Sequence, residues 1–316
     1  RSSRQNAASS VWTLCQTSNG TNFRGCKKAS ETELKQPGGY QKSAAKRCFG
    51  NAMKTEPHPH SHSPITAADI AQWHGRYDVI VVGFGAAGAC AAIAAADAGC
   101  SVLICDIASG SGGSTALSSA ELYLGAGTRV QKACGYNDSV EAMYDYLMLS
   151  NGPQADPAKI RAYCEGSADH FDWLVDLGVP FNDSEFKARA IVATTDDGLL
   201  YTGSEKAWPY VESIAPAPRG HNLAIKGDHG GPLFMKILTA AALQRGVEVH
   251  FETRALRLIE DSGEVVGLVV RSDMQERYLR SNQGVILSAG GFVMNREMLA
   301  EYAPDLMRCN LPIGNA

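Results

Sequence analysis

Nine cysteines are scattered through these 316 residues without one Cys-x-x-Cys pair. Zinc modules and dithiol redox motifs need that spacing, and a disulfide scaffold needs a short, cysteine-dense chain, so neither is implied. Cys90, Cys100 and Cys105 lie in apolar stretches, where a thiol acts as a small core side chain. Such usage fits a reducing, cytoplasmic setting. Aliphatic side chains are nearly missing at the start, where Val11, Leu14 and Leu34 are the only valine, leucine or isoleucine before Ile65. Ordering so polar a segment costs about 1–2 kcal/mol per residue in backbone entropy, with almost no apolar burial to offset it. Residues 1–63 are therefore expected to be a disordered leader. They hold no apolar h-region of the kind a secretory signal needs. The first methionine is Met53, so residues 1–52 read as non-native upstream sequence. His58-Pro59-His60-Ser61-His62 lacks the held geometry that metal ligands require, and no metal site is expected.

Charge and hydropathy narrow the classes further. Residues 1–63 carry ten Lys and Arg against three Asp and Glu, a surplus of seven that leaves −11 for the rest of a chain of net charge −4. An acidic body is a poor partner for nucleic acid. One charge-free run, Val79–Ala96, is long enough to suggest a membrane span. Alanine and glycine dominate it, however, and it lacks basic flanks and aromatic belts, so no span is expected.

What the sequence does contain is a βαβ pattern. Tyr77–Val82 is rich in β-branched residues, as a parallel strand buried on both faces requires. Gly83 lets the chain leave the strand in a tight turn, Gly85 lets backbone approach a pyrophosphate, and Gly88 lets the following helix pack on the strand. That helix, Ala86 to Ala98, presents the N–H groups of Ala86, Ala87 and Gly88 and its positive dipole end to phosphate. Gly99 stops it. Ser101–Cys105 is the next strand, and Asp106 at its end sits where a carboxylate accepts from a ribose 2′-hydroxyl. An acid there also disfavours the phosphorylated ribose of NADP. Ile107 and Ser109-Gly110-Ser111-Gly112-Gly113-Ser114-Thr115-Ala116 follow. Small residues, hydroxyls and bare backbone at this point suit a flavin dinucleotide better than a nicotinamide one. A flexible Gly/Ser loop is the plainer alternative, although the apolar segment that follows is unlike a linker.

Further along, Asp138-Ser139 caps a helix to about Leu149, and Pro157 opens a longer one with Ile160, Cys164, Phe171 and Leu174 on one face. Asp196-Asp197-Gly198 joins two short strand-like runs, Ile191–Ala193 and Leu199–Tyr201. Gly230-Gly231-Pro232 begins a helix with proline at its first position, running to Arg245. Thr253–Glu260, Glu264–Val270 and Arg277–Arg280 read as an antiparallel excursion, and Val285–Leu287 as a strand returning to the parallel sheet.

From about Arg76 onward the chain resembles the FAD-binding domain of the fumarate reductase/succinate dehydrogenase flavoprotein superfamily, and within it the 3-ketosteroid dehydrogenases of the Δ4-(5α) type. The resemblance rests on Gly83–Gly88, Gly112–Ser118, Tyr123–Thr128, Pro218-Arg219-Gly220-His221, Thr253-Arg254-Ala255 and Ser288-Ala289-Gly290-Gly291-Phe292. It implies an α/β, Rossmann-like FAD-binding domain over 77–293, with a mostly parallel central sheet, a helical insertion and an antiparallel β excursion. Residues 64–76 form a short lead-in, and 294–316 begin a catalytic or capping domain that reads as truncated.

By the same resemblance Ala255 meets the adenine through its backbone, and Ala289, Gly290 and Gly291 end a strand against the cofactor. No histidine lies between Ile107 and Thr128, where some members attach flavin covalently, so non-covalent FAD is implied. Tyr123, Arg219 and His221 are the candidate catalytic residues. Simple packing of Tyr123 and a solvated surface loop at Arg219 and His221 are the alternatives. The activity implied is oxidation or reduction of a CH–CH bond beside a carbonyl, in a steroid or similar small molecule, with an external electron donor or acceptor. A fumarate- or urocanate-type enoate reductase is the second reading, and a non-catalytic FAD-binding fragment the third.

Overall fold

The computed structural model describes residues 63–188, 194–227 and 229–309. The expected leader, the His58–His62 tail and the Ile191–Ala193 run lie outside them. Ten strands are present among the described residues: β1 (Ile65–Thr66), β2 (Gly75–Val82), β3 (Val102–Cys105), β4 (Leu122–Tyr123), β5 (Leu199–Leu200), β6 (Gly220–His221), β7 (Glu248–His250), β8 (Arg254–Asp261), β9 (Glu264–Ser272) and β10 (Gln275–Leu287). Seven of them form one mixed sheet in the order β1-β8-β9-β10-β2-β3-β7, and β4-β6-β5 form a small antiparallel sheet. The β10-β2-β3-β7 half is parallel, β1 is parallel to β8, and β8-β9-β10 is the antiparallel excursion.

The apolar run of β2 is explained by burial on both faces. Val79 and Val81 pack on one side with Val102, Ile104 and the helices Ala86–Asp97 and Gly230–Gln244. Ile80 and Val82 pack on the other with Leu103, Cys105, Leu268 and Val270 beneath the excursion. A strand with apolar residues on both faces has no polar alternation to show, which is why the pattern reads as continuous. The lead-in joins the sheet through β1, and β2 starts at Gly75, two residues before the expected strand.

Three expected elements differ in detail. The long helix from Pro157 is two, Pro157–Glu165 and Ser167–Asp176, parted at Gly166; the apolar stripe continues across the break, so periodicity did not register it. The helix expected to start at Pro232 starts at Gly230, because the two glycines pack against the carbonyls of Ser118 and Ser119, where any Cβ would collide. Arg277–Arg280 and Val285–Leu287 are one strand, β10, interrupted by a bulge between Ser281 and Gly284. Gln275–Arg280 pair with β9 and Leu279–Leu287 with β2, so the two ladders overlap at Leu279 and Arg280 and a single backbone passes from the antiparallel to the parallel region. Two-residue turns with positive φ at both positions, Ser262-Gly263 and Asp273-Met274, close the β8-β9 and β9-β10 hairpins, matching the right-handed strand twist.

Ser281 holds the bulge. Its Oγ accepts from the Gly284 N–H at 2.9 Å and lies within donating distance of the carbonyls of Asp78 and Gly284. Ser281→Ala is expected to lower the free energy of unfolding by about 1 kcal/mol, measured by urea denaturation; an unchanged midpoint would show that the bulge stands without it.

Candidate functional site

The turn after β2 is assembled by backbone. A Cβ on Gly88 would lie 1.9 Å from the Gly83 carbonyl oxygen, and one on Gly83, at φ +99°, would lie 2.4 Å from that of Ser288. The end of β2, the first helical turn and the segment after β10 therefore touch with nothing between them. Gly85 differs. A Cβ there would meet only the Gly112 carbonyl and Thr115 Oγ1, each at an ordinary 3.7 Å. The fold does not demand this glycine. It is also the N-cap of the Ala86–Asp97 helix, which has no side-chain cap. A helix start that takes no cap from its own N-cap residue, with the Ala86 N–H donating to Thr115 Oγ1, receives anions at its positive dipole end, so the residues present form a cradle that fits a dinucleotide phosphate.

Neighbouring segments are pinned around that cradle. The Asp106 carboxylate accepts from the Phe84 N–H at 2.5 Å and the Ala108 N–H at 2.8 Å, while the Thr253 N–H donates to its carbonyl at 2.8 Å. The strand-end acid thus fixes the glycine turn, and β8, which carries Ala255, starts beside it. Gly112 N–H donates to the Phe84 carbonyl, Ala86 N–H to Thr115 Oγ1, and Ser111 bonds Thr239 on the Gly230–Gln244 helix. Ala87, Ile107, Ser109, Gly113, Ser114, Ala289, Gly290 and Gly291 are exposed on this rim, with Ala116 and Ala255 half-buried. All the expected cofactor residues except Ala255 therefore belong to the three segments that follow β2, β3 and β10, including the start of the Ala86–Asp97 helix and the short helix Gly113–Ala116, and backbone contacts join these segments. Ligands of open α/β sheets bind at such strand ends.

The three candidate catalytic residues gather elsewhere, at the small sheet. Arg219 and His221 have no exposed surface, so the solvated-loop alternative does not hold. Arg219 donates from Nε to Asp138 Oδ2 at 2.9 Å and from Nη2 to Asp138 Oδ1 at 2.7 Å, a bidentate buried pair. Gln131 donates to Asp138 Oδ2 and the Pro218 carbonyl and accepts from the N–H groups of Gly127 and Thr128. His221 completes the network through Thr128 Oγ1 at 2.9 Å and the Arg219 carbonyl at 3.1 Å. Burial would raise the Asp138 carboxyl, but the Arg219 guanidinium, Gln131 and the Ala126 N–H outweigh it and hold it below its ordinary value. Burial pushes His221 down to about 4, against a bond to the Arg219 carbonyl. Tyr123 is half-buried and donates to Glu205 Oε1 at 2.6 Å.

Asp138, Gln131 and Glu205 carried no sequence signal as site residues. Asp138 reads locally as part of a helix cap, yet Ser139 is the cap and Asp138 turns inward to a partner 81 residues away. Among the described residues there is no cluster that could hold a metal ion, and no helix is long and apolar enough to cross a membrane.

Comparison with known proteins gives the following. Residues 78–315 match the family described as FAD binding domain. The structure of 3-ketosteroid-Δ4-(5α)-dehydrogenase from Rhodococcus jostii RHA1, in complex with 4-androstene-3,17-dione, is 41% identical and superposes with a TM-score of 0.77, covering 80% of this chain and 53% of that one. A probable fumarate reductase of Shewanella frigidimarina is 31% identical over 229 residues, 72% of this chain and 34% of that protein. The 3-oxo-5-alpha-steroid 4-dehydrogenase of Comamonas testosteroni is 34% identical over 214 residues, 65% of this chain and 39% of that protein. The chain thus spans little more than a third of the length of these two curated relatives.

Two outcomes are expected. Gly85→Ala keeps the parent melting temperature but weakens FAD binding at least ~10-fold, a loss of about 1.4 kcal/mol, followed by quenching of flavin fluorescence; parent-like affinity would remove Gly85 from the cradle. Because His221 is neutral in the fold down to about 4 and ordinarily titrates near 6.5, the unfolded chain binds the extra proton between those values. Stability therefore falls as pH drops from 6.5 to 4. Chemical denaturation across that window is expected to show a shallower slope in His221→Gln, and equal slopes would contradict it.

Proposed function

The chain belongs to the FAD binding domain family, with FAD as its cofactor, and on that premise we propose that the protein is an FAD-dependent oxidoreductase acting on a CH–CH bond beside a carbonyl, with a 3-ketosteroid as substrate. The observation that carries the reading is the 41% identity and TM-score of 0.77 to a ketosteroid dehydrogenase structure holding a steroid. FAD supplies the hydride acceptor or donor. The chain's residues bind and orient it: Gly83, Gly85, Ala86, Ala87 and Gly88 receive the pyrophosphate, and the Asp106 carboxylate, fixed by two N–H groups, receives the ribose. Ile107, Ser109, Gly112–Ala116, Ala255 and Ala289–Gly291 border the rest. With no histidine between Ile107 and Thr128, FAD is held non-covalently.

A neutral substrate suits the electrostatics of this part of the protein. Arg219 is the one fully buried guanidinium among the described residues, and Asp138 already neutralises it. It is not a free cation for a dicarboxylate. Ile107 shortly after β3, Leu117 after the Gly113–Ala116 helix and Leu287 at the end of β10 are large apolar residues left exposed. Tyr123, half-buried with its hydroxyl held, is the group offered for proton exchange; Arg219 and His221, enclosed on every side, act as positioning residues. Identity to the Shewanella fumarate reductase favours the second reading, a dicarboxylate reductase.

Purified protein is expected to be yellow with bound FAD and to turn over a 3-ketosteroid with an artificial electron acceptor. Reduction of fumarate alone would replace the steroid reading by the second, and bound FAD without turnover of either substrate would leave only a non-catalytic FAD-binding fragment.

A further inference from the structure

A cavity of about 240 Å³ lies where β2, β7 and the β9-β10 hairpin meet. It is bordered by Tyr77 of β2, His250 of β7, Phe251 just after it, Ser272 of β9, Arg277 of β10 and His74 of the lead-in. None of its lining residues is an expected cofactor residue. The space equals that of roughly eight water molecules at ~30 Å³ each. It admits a molecule of one ring and is too small for a dinucleotide or a four-ring steroid.

Its polar wall supplies unused donors and no acid. Arg277 is exposed, and its guanidinium has no ion pair or hydrogen bond among the described residues, since the neighbouring Glu276 pairs with Arg257 and Arg271. His74 Nδ1 accepts from the Tyr278 N–H at 3.0 Å, which puts the ring proton on Nε2. That N–H and the Ser272 hydroxyl have no partner among the described residues. Glu248 stands behind the wall with Oε1 committed, accepting the Tyr77 hydroxyl at 2.9 Å and the His250 Nε2–H at 2.7 Å. No Asp or Glu borders the cavity, although residues 64–316 carry a net charge of −11. The rest of the wall is flat or apolar, from the rings of Tyr77 and Phe251 to Val270 and Leu279. Apolar walls with a few convergent polar groups are the usual make-up of a small-molecule site.

We propose that this cavity is a second small-molecule site, which takes a monocyclic aromatic carboxylate while FAD occupies the rim. The Arg277 guanidinium pairs with the carboxylate, the His74 Nε2–H and the Ser272 hydroxyl serve its remaining lone pairs, and the ring covers Tyr77, Phe251 and the aliphatic wall. An inorganic anion would leave the apolar half of the wall uncovered, and a neutral ring would leave Arg277 unpaired. A ring bearing a carboxylate answers both. Such a ligand touches the lead-in, β2, β7 and the hairpin at once, so its binding stabilises the fold. The site does not depend on which substrate the rim serves.

The test is calorimetric titration of the FAD-loaded protein with benzoate, with benzamide and inorganic phosphate as comparisons, on the parent and on Arg277→Gln and Ser272→Phe. Retained flavin absorbance checks that each variant is folded, and if Ser272→Phe fails that check Arg277→Gln decides alone. Benzoate is expected to bind at one site with a dissociation constant below about 1 mM, to raise the melting temperature and to leave the bound FAD in place. Benzamide and phosphate are expected to bind at least ~10-fold more weakly, as is benzoate to Arg277→Gln, through loss of a charged hydrogen bond. Ser272→Phe fills the cavity and is expected to abolish binding. The proposal is overturned by an absence of saturable binding, by parent-like affinity in Arg277→Gln, or by benzamide or phosphate binding as tightly as benzoate. Release of FAD by benzoate overturns it too, because the cavity would then belong to the cofactor's own site. No turnover is involved, so a protein inactive on ketosteroids loses the substrate reading while this titration still stands.

Discussion

Three stretches of backbone meet at the end of β2 with no side chain to separate them, and the rest of the cofactor rim depends on that contact. Gly83, Gly88 and Ser288 come from a strand end, a helix and a segment two hundred residues later, yet their main-chain atoms leave no room for a methyl group. Once they are in place, Phe84 offers its N–H to Asp106 and its carbonyl to Gly112, so the ribose-side acid and the glycine-rich loop are both positioned by one residue of the turn. Such preorganisation needs no side-chain flexibility to be frozen on binding, which lowers the entropic cost of holding a ligand.

The small sheet obeys a different rule. There the chain buries charge, and it succeeds because the charge is paired and saturated with donors. Asp138 takes two nitrogens of Arg219, an amide of Gln131 and the Ala126 N–H. The cofactor rim is thus built from absent side chains, and the region behind Tyr123 from buried polar ones that pair with one another.

The first of these was legible in the sequence and the second was not. A strand, three spaced glycines, a helix and an acid occur within thirty residues, and each has a local reason to be where it is, so Gly83 to Asp106 was readable as a unit. Ala289 could be placed beside it only through resemblance, since nothing local says which strand end Gly83 will touch. Arg219 and Asp138 are far apart in sequence, and a bidentate pair leaves no periodic trace. Proline and apolar spacing likewise misjudged the helix starts at Gly230 and the break at Gly166, because contacts with Ser118 and Ser119 and a continuous apolar stripe decided them.

β10 has a mechanical corollary. Thirteen consecutive residues are shared by the excursion and the parallel layer, so neither can fray without drawing on the other's ladder. Amides of β9 and β2, although they belong to differently directed pairings, should then exchange with deuterium as members of one cooperative unit. Whatever grips the rim after Leu287 would protect the distant hairpins as well.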